Sequence, residues 1–224
     1  MALLQGLRKF MPYIYKTGRK ELHEQIKRHA HFIKGRVLDI GAGHYPRYRD
    51  LFKCDEYVKM DIEAREGVDL VGKIENISVP DNSFDSIVCT QVLGDVYDLR
   101  QAFGEMFRVL KPGGYLLVTE SLFDPLHDEP HDYWRFTRNS FRRLSEDAGF
   151  QVKVLEPRGG YWSVLTQLEQ RYWLEVLRPK NKLFSKIISG LFKIFGTLAI
   201  WFDRLDKTMA NKLFTHGYIL ICSK

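Results

Sequence analysis

The run VLDIGAG at residues 37–43 constrains this chain more than any other stretch. A short apolar strand passes directly into a Gly-x-Gly turn. The strand therefore ends where backbone N–H groups can approach a ligand that any Cβ would hold off. A second carboxylate, Asp61, closes the next apolar run at residues 57–62. An acid in that place can accept hydrogen bonds from both hydroxyls of a ribose, so the pair of features indicates nucleoside binding. A dinucleotide fold also wants glycines after its first strand and an acid farther on. In this chain, however, the third glycine of G-x-G-x-x-G falls on Pro46, which has no N–H to donate. That argues against nicotinamide-dependent redox chemistry.

From Arg36 onward apolar runs alternate with helical patterns, the arrangement of a parallel sheet flanked by helices. Five parallel strands are expected at residues 36–40, 57–62, 68–71, 84–90 and 115–120. Residues 99–110 carry Leu99, Ala102, Phe103, Met106 and Leu110 on one helical face and stop at the Pro112–Gly113–Gly114 breaker. A second helix opens at Arg138, with Thr137 as its cap, Phe136 and Phe141 as a hydrophobic staple, and Gly149 as its close. The strand at 151–155 has its natural partner at 218–222. That separation of roughly sixty residues far exceeds a hairpin loop and predicts a helical insert. The expected organisation is an N-terminal helical segment, 1–35, and a domain, 36–224, with the insert at about 158–214.

Composition narrows the class. The 224 residues include 34 basic and 28 acidic side chains, a formal charge of +6. This charge permits anionic partners without demanding them. No Lys/Arg block with interleaved aromatics resembles a nucleic-acid module, so no nucleic acid is expected. Cys54, Cys89 and Cys222 are far apart and odd in number, which suggests neither a disulfide framework nor a thiolate metal site. The first twenty residues lack the apolar core and small-residue cleavage site of a secretory signal, and the expected location is cytoplasmic.

Four segments, in order, resemble the class I S-adenosylmethionine-dependent methyltransferases. VLDIGAG looks like that family's first motif, and VKMDI at 58–62 supplies a ribose acid. PDNSFDSIVCT at 80–90 resembles the strand beside the cofactor, and FGEMFRVLKPGGYLLVTE at 103–120 the helix and strand after it. The resemblance covers residues 36–156, with the last strand returning near 218. It implies an α/β fold: a doubly wound, mostly parallel, seven-stranded Rossmann-like sheet with an antiparallel last strand and a helical insert before it. The implied cofactor is S-adenosylmethionine, with Asp39, Gly41 and Gly43 on the methionine moiety, Asp61 on the ribose, Ile62 against adenine, and Thr90 at the end of the neighbouring strand. Three departures stand out. Gly72–Lys73–Ile74 replaces a frequent Gly-Asp-Ala. A protonated Lys73 cannot accept from the adenine amino group, which leaves backbone atoms, Ile74 or another side chain. Tyr45 stands where the motif commonly has its last glycine. Gly94–Asp95 replaces a Glu-His pair.

The loop SLFDPLHDEPHDYWRFT at 121–137 lies beyond the strand ends, where α/β folds bind ligands. His127, Asp128, His131 and Asp132 offer a base oriented by a carboxylate, as a hydroxyl acceptor would want. A solvated acidic loop is the alternative. His127 and His131 are four apart, but Pro130 breaks the helix a metal pair would need, and no metal is expected. Tyr133 and Arg135 suit an anionic acceptor, since a guanidinium fork matches phosphate geometry. The segment also resembles HDEPxDxWRFT stretches in a bacterial subgroup of the family.

Residues 183–204 form a basic amphipathic helix. Lysines within its apolar run argue against spanning a bilayer. Two readings stay open: an in-plane helix on the inner face of a membrane, or a helix covering the core or a second chain. The function expected is methyl transfer from S-adenosylmethionine to a small-molecule or lipid-linked acceptor, possibly a glycan. The alternative is a non-catalytic, membrane-associated binding module.

Overall fold

Why the chain makes a sheet is plain from its inner strands. Val37 to Ile40 and Ile87 to Cys89 are consecutive buried residues, apolar but for Asp39, as in strands covered on both faces. The computed structural model describes residues 15–43, 47–127, 129–179 and 181–224. In chain order its elements are α1 (Thr17–His29), β1 (Lys34–Ile40), β2 (Lys53–Asp61), β3 (Leu70–Val71), β4 (Phe84–Thr90), α2 (Leu99–Val109) and β5 (Leu110–Ser121). There follow α3 (Arg138–Asp147), β6 (Gln151–Arg158), α4 (Tyr161–Leu177), α5 (Lys182–Leu205), α6 (Met209–Lys212) and β7 (Gly217–Ser223).

The seven strands lie in the order β3-β2-β1-β4-β5-β7-β6. The first five pair in parallel. β7 runs antiparallel between β5 and β6. The strand order reverses between β1 and β4, so the crevice outside their carboxyl ends is where a ligand belongs.

Several elements extend beyond their expected bounds. β2 begins at Lys53 and β5 at Leu110, and the Pro112–Gly113–Gly114 breaker lies inside β5 rather than before it. A register shift opposite Phe84 and Ser86, with Gly113 at φ +76°, absorbs the extra residues. β3, expected from Val68, is the pair Leu70–Val71 alone.

Local chemistry sets the helix starts. The Asp98 side chain accepts from Gln101 N at 3.0 Å and caps α2. At α3 the Thr137 hydroxyl accepts from Ser140 N at 3.2 Å, and the Phe136 and Phe141 rings stack at 4.8 Å. Both phenylalanines are fully buried in the main core, which α2 enters with Ala102, Phe103 and Met106.

The chain divides into two compact units. One holds the sheet, residues His23–Arg158 and Gly217–Lys224. The other comprises Gly159–His216 with the described residues 15–22. In the second unit α4 and α5 form an antiparallel hairpin. Asp203 near the end of α5 accepts from Gly160 N, Trp162 N and Ser163 N at the start of α4, at 2.9–3.1 Å. Gln170 Nε2 donates to Phe192 O at mid-length, and Leu174 packs on Ile188.

Candidate functional site

Four parallel strands end at one level: Ile40 beside Met60, Asp61 beside Val71, and Ile40 beside Cys89. Asp39 is the last side chain but one of β1 and is buried. Its Oδ2 accepts the Tyr57 hydroxyl at 2.8 Å. Burial pushes this carboxyl up to about 7, the Tyr57 hydrogen bond opposes that, and the charge of Asp61 adds to it. Tyr57 is itself raised, again chiefly by burial, and so remains the donor.

After β1 the backbone turns at Gly41, φ +72°, and the N–H groups of Gly41 and Ala42 both donate to Met60 O, at 2.8 and 3.1 Å. A Cβ on Gly41 would overlap the Val92 side chain. Gly43, φ +60°, has open space where its Cβ would be, and its N–H donates to Asp61 Oδ2 at 3.0 Å. Asp61 Oδ1 accepts from Glu63 N at 3.0 Å. Each carboxylate oxygen thereby keeps a lone pair for a ligand hydroxyl. Beside it Ile62 is 65% exposed, a large apolar surface at the edge of the cradle.

Of the other expected residues, Thr90 is half-buried at the end of β4. Ile74, expected at the adenine ring, is instead packed into the main core with Ile77, three residues on. Lys73 is exposed. Tyr45, Pro46 and Asp128 lie outside the described residues.

Glu120, at the carboxyl end of β5, belongs to this site although the sequence reading passed over it. It is buried, and its Oε1 accepts from Val92 N and Leu93 N, both at 2.6 Å, fixing the loop after β4. Burial raises it to about 7, against those backbone hydrogen bonds. The signal available was a polar Thr–Glu–Ser end to an apolar strand. That loop in turn carries the segment after β5: Gly94 O accepts from Tyr133 N and Trp134 N at 2.9 and 3.0 Å, and Trp134 Nε1 donates to Val96 O at 2.9 Å. A Cβ on Gly94 would lie 3.5 Å from Trp134 O, an ordinary van der Waals contact.

The loop after β5 separates its histidines. His127 N donates to Asp132 Oδ2 at 3.0 Å, and His127 Nδ1 lies 3.0 Å from Pro125 O. A carbonyl only accepts, so Nδ1 carries the proton and Nε2 of the neutral ring is the free base. Asp132 is clamped by Arg135 through both oxygens, at 2.6 and 2.9 Å, which holds its carboxyl down at about 2. Arg135 also donates to Asp124 O and Pro125 O, so it tethers the loop. His131 is exposed, with Nδ1 3.1 Å from the Tyr133 hydroxyl. Asp95, His127 and Asp132 each bring one ligand atom within 4.8 Å of the others. Arg135 engages both oxygens of Asp132, and the charge of its guanidinium opposes a cation there.

Residues 38–118 match the model of the family described as a methyltransferase domain. A ubiquinone/menaquinone biosynthesis C-methyltransferase of Cronobacter sakazakii is 38% identical over 92 residues, 37% of this chain and 36% of that protein. A counterpart in Salmonella arizonae is 35% identical over 137 residues, 49% of this chain and 54% of that protein. A sterol 24-C-methyltransferase of Aspergillus fumigatus is 27% identical over 160 residues, covering 60% and 42% respectively. The chain thus spans between about a third and a half of these relatives' length. Among solved structures, the [4+2]-cyclase SpnF superposes with a TM-score of 0.59 at 20% identity, over 91% of this chain and 80% of that one. A sarcosine dimethylglycine methyltransferase described from Galdieria sulphuraria gives 0.57 at 16%, over 93% and 85%. These two likenesses concern the fold.

Strand order, cofactor-end motifs and family match together define a class I S-adenosylmethionine-dependent methyltransferase domain. The match to the methyltransferase-domain family covers residues 38–118, from the middle of β1 into β5. The open cradle at Gly43 and the two spare acceptors of Asp61 fit the cofactor of that class.

Proposed function

We propose that this protein transfers a methyl group from S-adenosylmethionine to a small-molecule acceptor carried on a lipid. The observation that carries the reading is the convergence of Asp39, Gly41, Gly43 and Asp61 at the ends of β1 and β2. In this reading Asp39 faces the methionine ammonium, Asp61 takes the ribose hydroxyls, Ile62 covers adenine, and Thr90 lines the floor. Ile74 is left out, because its side chain is in the core. The cofactor supplies an activated methyl on a sulfonium. The protein's tasks are to align the acceptor and exclude water. His127 Nε2 is the proton acceptor for a hydroxyl acceptor, its ring held by the Pro125 carbonyl. Asp132 orients His127 through the backbone, Asp128 is its neighbour in sequence, and His131 lies at the exposed rim.

The apolar acceptor is supported by the names of the relatives, which concern ubiquinone, menaquinone and a sterol. It is supported also by the exposed apolar face of residues 183–204. The protein then works on the cytoplasmic face of a membrane, with no nucleic acid involved.

Calorimetric titration with S-adenosylmethionine and S-adenosylhomocysteine tests the reading, with NADH as control. Micromolar binding, about −8 kcal/mol, lost in Asp61→Ala, is expected for the first two. Tritiated methyl groups should then appear in the organic extract of membranes. Absence of cofactor binding overturns the reading, and label confined to water-soluble products overturns its lipid part.

A further inference from the structure

α5 has three faces rather than two. Ser185, Ile188, Gly196 and Ala199 are buried. Lys182, Lys186 and Lys193 follow i, i+4 and i+11 spacing along a second line and are exposed. The third face carries Ile187, Leu191, Ile194, Leu198, Trp201 and Leu205, all about half-exposed. At 1.5 Å per residue the 24-residue helix is about 36 Å long, and this face runs along about 27 Å of it. α4 continues it. Trp162 lies against Phe202, ring centroids 5.6 Å apart, and Tyr172 and Trp173 are 62% and 45% exposed. An apolar face this large on a hairpin marks a contact with something outside the chain.

Charge says what that is. Residues 178–212 hold eight Lys/Arg and two Asp, a net +6, while the remainder holds 26 of each sign. The whole net charge of the protein therefore flanks its largest apolar face. Two copies meeting through that face would bring +6 against +6, whereas an anionic bilayer complements it.

α5 is long and apolar enough to cross a membrane by length and composition. Its partner helix forbids it: α4 runs antiparallel beside it and carries Glu169 and Arg171 at mid-length. We infer that the α4–α5 hairpin docks in the plane of an anionic lipid surface, apolar face down, with Lys182, Lys186 and Lys193 at the headgroups and the tryptophans at the interface. This rests on the lipid-carried acceptor proposed above and says how the enzyme reaches it.

The test is flotation of the full chain with vesicles of phosphatidylcholine alone and of three parts phosphatidylcholine to one part phosphatidylglycerol. Binding is expected on the second, weakening as salt rises. Lys182→Gln, Lys186→Gln and Lys193→Gln together should weaken it on the order of a hundredfold, at about one factor of five per lysine. The triple variant Leu191→Asp, Ile194→Asp, Leu198→Asp should abolish it. All six positions are exposed and outside the cofactor site, and circular dichroism with S-adenosylmethionine titration checks that each variant is folded. Bromine placed high on the acyl chain should quench tryptophan more than bromine placed deep. A parent that stays with the soluble fraction, an aspartate variant that floats, or deep quenching overturns the inference. So does a dimer that the aspartate variant dissociates. Cofactor binding without vesicle binding sinks docking and leaves methyl transfer standing; vesicle binding without cofactor binding does the reverse.

Discussion

Two buried carboxyls near pH 7 make the cofactor end of the sheet sensitive to protons, in opposite ways. Asp39 is pushed up to about 7 by burial, and S-adenosylmethionine brings an ammonium to it in the proposed complex. Binding must then release a proton below that pH, so affinity should rise about fivefold from pH 6 to pH 7 and level off above. Calorimetry in buffers of different ionisation enthalpy checks both the slope and the proton. Asp39→Asn should be weak and flat. Glu120 acts on stability. Its folded value is about 7 against 4.5 when unfolded, so the native state binds the extra proton between those limits and stability falls as pH rises through them. Glu120→Gln keeps an acceptor for Val92 N and Leu93 N and removes the titration. The parent should lose stability relative to it from pH 5 to 7.5 by urea denaturation, and parallel curves would contradict the assignment. The positions of Asp39, Gly41, Gly43 and Asp61 were legible in the sequence because each is set by its own strand end or turn. Glu120 was not, because the N–H groups it receives belong to residues 27 and 28 positions earlier. Ile74 illustrates the converse: one apolar residue after a two-residue strand can face the ligand or the core, and periodicity cannot choose.

At the scale of elements, the parts read correctly are those with local causes. Thr137 caps α3 and Phe136 stacks on Phe141, both set within five residues. Thr137→Ala should cost about 1 kcal/mol by denaturant titration while leaving cofactor affinity unchanged. A loss of affinity would mean that the cap also holds the loop before it. The early start of β5 was hidden because Pro112 and Gly113 normally end strands; the pairing of Leu110 with Phe84 across a register shift, and the bonds of Gly113 N to Lys224 O and of Lys224 N to Gly114 O, keep the segment in the sheet. The loop after β5 was legible in composition but not in arrangement. Its histidines differ in their partners, the Pro125 carbonyl taking Nδ1 of His127 while His131 meets a tyrosine hydroxyl.

For the molecule as a whole, the two units differ in what holds them. Among the described residues, the sheet unit buries a large set of apolar side chains on its strands and on α2 and α3, whereas between α4 and α5 the apolar packing is Leu174, Ile188 and Phe192, with most large side chains of both helices facing out. Sub-global opening follows buried apolar contact, so the hairpin should open at a lower free energy than the sheet. Amide hydrogen exchange of the protein without vesicles should show α5 exchanging well before β1, β4 and β5. Every residue assigned to the cofactor lies in the sheet unit. Ligand at a hundred times its dissociation constant adds about 2.7 kcal/mol to the state that binds it. That protection should appear at residues 37–43, 59–63 and 90–95 and be absent from 161–205. Anionic vesicles should do the opposite, slowing 183–205 and leaving the strand ends unchanged. Protection spreading evenly over both units with either ligand would show that the hairpin and the sheet open as one, and would sink this account of their separate stabilities.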